Sequence, residues 1–169
     1  MDYRIVPTSA EHIEGFHAVV DRVARERRYL AMLKAFPLEE TARYVRDCIE
    51  RKSPHFVAIA DGRVVGWCDI TPMPRETQAH GGVLGMGIVD GYRGKRIGLA
   101  LMQAALARAR ETGFIRVELT VREDNLRAKG LYEKVGFVTE GVKRKAALHD
   151  GRYYDLVLMA ILFNGGIPQ

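Results

Sequence analysis

"GIVDGYRGKRIGLALMQAALARAR", residues 87–110, reads as the end of a strand, a basic glycine-rich loop and the start of a long helix. Apolar Ile88 and Val89 precede the loop, and the helical pattern runs over 97–111 until Gly113 stops it. Between them Arg93-Gly94-Lys95-Arg96 concentrates cations just where a helix leaves its first N–H groups free. Free amides, a dipole of the right sign and nearby cations together make a pyrophosphate cradle. Gly94 and Gly98 allow the backbone to come close to phosphates. A plain basic surface turn fits the same residues, so the context has to decide.

Two common phosphate loops do not match. A Walker loop needs a glycine five residues before Gly94 and a Ser or Thr after Lys95, and the chain has Val89 and Arg96 there. A dinucleotide fingerprint would have to use Gly85, Gly87 and Gly91, which flank strand-like residues instead of separating a strand from a helix.

The surrounding chain alternates strands and helices. "YRIVP" (3–7) reads as a strand, and Thr8 to Glu11 has capping-box spacing before a helical face of Ile13, Phe16, Val20 and Val23. Residues 25–36 are either a frayed continuation or a loop, and Pro37 restarts a helix over 38–50 with acids in its first turn. "HFVAIA" (55–60), Asp61-Gly62 and "RVVGWCDI" (63–70) form a hairpin, and 72–82 is a polar loop. Strands follow at 83–89 and 115–121, with a short helix at 125–135. A strand-like segment at 136–148 turns at His149-Asp150-Gly151 into the apolar strand "RYYDLVLMAILF" (152–163).

Composition restricts the class. The chain of 169 residues is 47% hydrophobic and 28% charged, which suits one soluble globular domain. We expect that domain over 1–163 and a loose tail at 164–169. The sequence shows no signal-peptide pattern and no apolar run of membrane-spanning length, so a cytoplasmic location without membrane attachment is expected. Cys48 and Cys68 are far apart, and His12 and His17 are five residues apart on different helix faces, so no metal is expected. The net charge of +5 suits an anionic ligand, and the cations are too scattered for a nucleic-acid face.

In "NLRAKGLYEKVGF" (125–137), Asn125 and Tyr132 are two helical turns apart and share a face. Together with "GYRGKRIGLALM" (91–102), this resembles the GNAT superfamily of acyl-CoA-dependent N-acyltransferases. That family's Arg/Gln-x-x-Gly-x-Gly/Ala motif falls on Arg93 to Gly98, with Arg96 in place of the first motif glycine. Its second signature matches Asn125, Ala128, Leu131-Tyr132 and Gly136-Phe137. The resemblance implies one α/β (α+β) domain, a mixed central sheet of about six to seven strands flanked by about four helices. It also implies acetyl-CoA as acyl donor, held by Ile88, Val89, Arg93, Gly94, Lys95, Arg96, Ile97, Gly98, Leu99, Asn125 and Tyr132. The segment 144–162 is similar to small bacterial acetyltransferases that modify amino acids, protein N-termini or related amines.

The chemistry of such a transfer can be assigned to residues. The attacking amine must lose a proton, because a free alkylammonium has a pKa of roughly 10. Glu118 acting through water is the expected base, with Asp69, Asp90 and His80 as alternatives; Thr120, on the same strand face, cannot serve. A strand interrupted by Gly85 and Gly87 is expected to offer N–H donors to the oxyanion where the ladder splays. Tyr132 is the candidate acid for the departing thiolate, against a purely packing role, and Asn125 also suits a helix N-cap. Arg27, Arg28, Tyr29, Leu30 and Phe36, in the loop after the first helix, offer two guanidiniums beside an apolar wall, with Arg28 and Tyr29 the expected substrate contacts and a solvated basic helix end the alternative. A small amine carrying a carboxylate, such as a free amino acid, fits them. The alternatives are a protein N-terminal acetyltransferase or a non-catalytic basic-loop binding module. The apolar last strand pairs either across a homodimer or within the monomer.

Overall fold

The computed structural model describes residues 2–164, so all but the first residue of the expected 164–169 tail lies outside it. Seven strands form one mixed sheet: β1 (Tyr3–Pro7), β2 (His55–Ala60), β3 (Arg63–Pro72), β4 (Gly81–Ile88), β5 (Arg116–Arg122), β6 (Val138–His149) and β7 (Arg152–Leu162). Four helices flank it: α1 (Ile13–Arg25), α2 (Leu38–Glu50), α3 (Ile97–Glu111) and α4 (Leu126–Val135). The strand order is β1-β2-β3-β4-β5-β7-β6. Only β4 and β5 run parallel; every other neighbouring pair is antiparallel.

Helices cover both faces of the sheet. Phe16 of α1 meets the Trp67 ring of β3 edge-on, with centroids 5.8 Å apart. On the opposite face α3 is drawn close at Gly98, where a Cβ would stand 3.3 Å from Ile88 and 3.4 Å from Met86. Val23, Val45, Val57, Leu101, Met102, Val117 and Met159 are fully enclosed in the resulting core. Cys68 is buried within it as well, as a small apolar side chain.

Several local expectations change. The N-terminal cap is made by Ser9, whose amide donates to His12 Nδ1 at 3.0 Å, and not by Thr8. Thr8 instead bonds the buried His55 ring, 2.6 Å from Nδ1, because the chain leaving β1 still runs beside β2 there. Residues 26–37 are a loop and not a frayed helix. The expected loop at 72–82 is shorter, since β4 already begins at Gly81. The apolar β7 pairs with β5 on one side and β6 on the other, so both its edges are satisfied inside the chain.

Candidate active site

The parallel β4–β5 ladder ends at the pair Val83–Glu118, yet β4 continues to Ile88 and β5 to Arg122. Beyond that pair the two strands diverge and leave a wedge in the sheet. β4 remains on β3 as far as the Gly66–Ile88 pair. Val89 N–H donates to the Val65 carbonyl and Met73 N–H to that of Gly81, so odd-numbered positions of β4 face β3. By strict alternation, Met86 and Ile88 turn their backbone groups into the wedge. Their amides are the donors available to an oxyanion.

Gly85 and Gly87 serve another purpose than the one expected. A Cβ at Gly87 would lie 2.4 Å from the Trp67 ring, and one at Gly85 would lie 3.1 Å from Asp69 Oδ1. These glycines make room for side chains of the neighbouring strand. The ladder opens because β5 leaves, not because glycine loosens β4.

A cavity of about 530 Å³ fills the wedge. Arg93, Gly94, Arg96, Gly98 and Leu99 line it from the basic loop and α3, and Ile88 from β4. Asn125 and Tyr132 close it from α4, and Arg28 and Tyr29 from the loop after α1. The structure thus brings together most of the residues singled out in the sequence. Val89 and Ile97 point into the core instead, at 4% and 1% exposure. Lys95 lies outside the cavity with its ammonium 5.3 Å from the centre of the Tyr92 ring.

The N-terminus of α3 is open toward this cavity. Its N-cap is Arg96, in a left-handed conformation (φ 65°), and no side chain caps the helix. Ala100 N–H bonds the Arg96 carbonyl, which leaves the first-turn amides of Ile97, Gly98 and Leu99 without intrahelical partners. A left-handed residue is what the motif's glycine would have supplied, so Arg96 adopts the expected backbone and adds a cation. Arg127, in the first turn of α4, lies across Gly94: a Cβ there would stand 2.6 Å from its Nη2. Neither Arg96 nor Arg127 has an ion-pair partner among the described residues. The sequence reading missed Arg127, whose only signal was its place two residues after Asn125. An uncapped helix start beside two free guanidiniums suits a polyphosphate.

Tyr132 is buried at 8% exposure, and its ring is tilted against Phe137 at 5.9 Å. Its hydroxyl has no hydrogen-bond partner among the described residues. Burial, with a smaller contribution from the nearby Cys68 thiol, raises its pKa above the usual phenol value. The hydroxyl is therefore held protonated, on a residue that lines the cavity. Asn125 caps α4, its side-chain oxygen accepting from Ala128 N–H at 3.2 Å, and its amide donors have no partner among the described residues.

Glu118 is not brought to the cavity. It belongs to the last β4–β5 pair, at the closed end of the wedge, and Arg116 holds its carboxylate at 2.8 Å while also gripping Glu140 at 2.6 Å. Thr120, two residues nearer the open end, does line the cavity. Among the described residues the one acidic side chain on its wall is Asp124, which sequence reasoning also missed. Arg122 grips both its oxygens, at 2.7 and 2.8 Å, and that contact depresses its pKa. Asp69 accepts from Tyr44 at 2.5 Å and from Trp67 Nε1 at 3.1 Å, and it does not line the cavity. Asp90 and His80 are exposed and do not line it either.

The architecture has known counterparts. The family model of the GNAT acetyltransferases matches residues 18–137. An L-amino acid N-acetyltransferase of Escherichia coli is 34% identical over 105 residues, which span 62% of this chain and 65% of that protein. The chain thus covers slightly under two thirds of that relative's length. An acetyltransferase of the GNAT family from Streptococcus pneumoniae superposes with a TM-score of 0.89 at 26% identity, covering 96% of this chain and 100% of that one. A phosphinothricin acetyltransferase from Sinorhizobium meliloti, in complex with acetyl-CoA, shares the fold with a TM-score of 0.88 at 18% identity, covering 96% and 89%. With the motif residues gathered on an open helix start and a wedge between its parallel strands, the chain belongs to the GNAT family of acetyltransferases.

Proposed function

We propose that the protein transfers an acetyl group from acetyl-CoA to the primary amine of a small molecule bearing a carboxylate, by direct attack within a ternary complex. The observation that carries this reading is one cavity lined by the open α3 N-terminus, by Arg28 and by Tyr132, whose hydroxyl has no partner among the described residues. The α3 amides with Arg96 and Arg127 take the phosphates of the donor, and the wedge between β4 and β5 receives its acyl arm. Acetyl-CoA is held by a protein of this fold, and the Escherichia coli relative is named for L-amino acids.

In this reading Met86 and Ile88 donate their amides to the thioester oxygen as negative charge develops on it. Tyr132 protonates the departing thiolate. Thr120 and the Tyr29 ring border the path of the amine, and Arg28 receives its carboxylate in a bidentate fork. Glu118 and Asp124 are both committed to arginines, so the amine loses its proton to water at the open mouth of the cavity.

The test is release of coenzyme thiol from acetyl-CoA in the presence of L-amino acids, their decarboxylated analogues and short peptides. The reading requires turnover with free amino acids and much weaker turnover without the carboxylate. Turnover with peptides alone would make the enzyme a protein N-terminal acetyltransferase. Binding of acetyl-CoA without turnover of any amine would make it a non-catalytic coenzyme-binding protein.

A further inference from the structure

Arg93 opens the basic loop, at the position the resemblance gives to coenzyme binding, yet its polar contacts run elsewhere. Its Nε donates to the Ile88 carbonyl at 2.8 Å and its Nη2 to Glu26 Oε1 at 2.6 Å. Its guanidinium carbon lies over the Tyr29 ring, 4.6 Å from the centre. Its remaining nitrogen, Nη1, is 4.0 Å from Asp90. The side chain is thus shared between the end of β4, the end of α1 and the loop that follows.

Glu26 is itself an odd choice at its position. It is the C-cap of α1, where the helix dipole disfavours an anion. Arg93 offsets that penalty across 67 residues of sequence. The next residues fan out from this anchor. Arg27, in a left-handed conformation (φ 53°), pairs with Asp150 in the β6–β7 turn at 2.6 Å. Arg28 and Tyr29 reach the cavity. The turn at 26–29 is therefore a roof tied on one side to the basic loop and on the other to the hairpin.

We infer that Arg93 is a positioning residue for the acceptor side of the site and not a phosphate ligand. It fixes the 26–29 turn so that Arg28 and Tyr29 meet the amine, and it engages the Ile88 carbonyl, a competing acceptor beside the two wedge amides. The inference rests on the acetyltransferase reading above. Lysine cannot replace this arginine, because one ammonium cannot bond Ile88 and Glu26 in that fork while placing a planar cation over Tyr29. A phosphate ligand would tolerate the exchange better, since lysine keeps the charge.

The experiment measures acetyl-CoA Kd by titration, and amine KM and kcat by thiol release, for Glu26→Gln, Arg93→Lys, Arg93→Gln and the double variant Glu26→Gln/Arg93→Gln. Each single variant should raise amine KM about 5- to 30-fold, the scale of one charge-assisted contact. Acetyl-CoA Kd should stay within about 2-fold, and the double variant should be no worse than the poorer single, because both remove one contact. Glu26→Gln changes a side chain at the surface, so it reports even if an Arg93 variant folds poorly. A rise in acetyl-CoA Kd for the Arg93 variants with Glu26→Gln unaffected would overturn the inference, as would additive effects in the double variant. Wild-type protein that binds no acetyl-CoA would instead defeat the acetyltransferase reading itself.

Discussion

The Trp67 indole occupies the space above Gly87 where any other residue would carry its side chain. A Cβ at Gly87 would stand 2.4 Å from Cζ3 and 2.5 Å from Cη2 of that ring. Trp67 is held in turn by Phe16 on one side and by the bond from Nε1 to Asp69 on the other. The close approach keeps β4 flat against β3 while β5 departs, which is what leaves Met86 and Ile88 facing the wedge. Gly87→Ala should therefore destabilise the fold by about 1–3 kcal/mol through overpacking. Thermal unfolding should show a Tm lower by roughly 2–4 °C per kcal/mol. An unchanged Tm would mean that Trp67 moves aside freely.

Arg96 makes a second, opposite prediction. Its left-handed backbone is one that glycine adopts without strain, so Arg96→Gly should leave the Tm of the unliganded protein unchanged or raised. Arg96 lines the cavity and has no ion-pair partner among the described residues, so the same change should shrink the Tm increase caused by acetyl-CoA. If the ligand-induced shift in Arg96→Gly equals that of wild type, the side chain does not reach the phosphates.

The parts of the site written into local sequence were legible. Asn125, Ala128 and Tyr132 mark a helix face by spacing alone, and the glycine-cation run marks a helix start whatever packs around it. What escaped was set by pairing between distant strands. Glu118 and Thr120 share one strand face, and only the register with β4 tells that the ladder closes at one and opens at the other. The glycines of β4 have their reason in Trp67 and Asp69, on a neighbouring strand. Arg93 shows its motif position in the sequence but not its partner Glu26, which lies 67 positions away. Gly98 belongs to both lists: it lines the cavity as expected, and it also admits Leu131, 3.1 Å from where its Cβ would be.

Arg28 sits over the Tyr29 ring at 5.6 Å and on the cavity wall, with Asp124 close enough to feel its charge. Arg28→Ala should raise KM for a carboxylate-bearing amine about tenfold, the loss of one exposed charge-assisted pair. KM for acetyl-CoA should not change, nor should KM for an amine without a carboxylate. Equal kinetics across the amine panel would retire Arg28 as the carboxylate group.

His55 links stability to pH. It is 3% exposed, and its Nε2 has no hydrogen-bond partner among the described residues. Burial lowers its pKa below the usual 6.5, against a smaller opposing pull from Asp69. A histidine with a depressed folded-state pKa contributes stability that is complete above the unfolded value and is lost as pH falls toward the folded one. Wild-type Tm should hence decline as pH drops below 6.5, and His55→Gln should decline less steeply. Parallel curves for the two proteins over that window would show that His55 does not titrate on unfolding.

If Tyr132 protonates the leaving thiolate, its hydroxyl alone carries that step, and Tyr132→Phe removes the hydroxyl and nothing else. The ring and its packing against Phe137 remain, and the hydroxyl removed has no partner among the described residues, so Tm and acetyl-CoA affinity should hardly move. The phenol is held protonated by its burial, which suits an acid throughout the neutral range. In Tyr132→Phe, kcat at saturating amine should fall by about 10²–10⁴, the usual worth of a positioned general acid. A thiol with a pKa near roughly 8.5 is already a tolerable leaving group, which favours the low end of that range. Measured across a pH series, kcat within a few-fold of wild type would contradict the claim and leave Tyr132 as a packing residue.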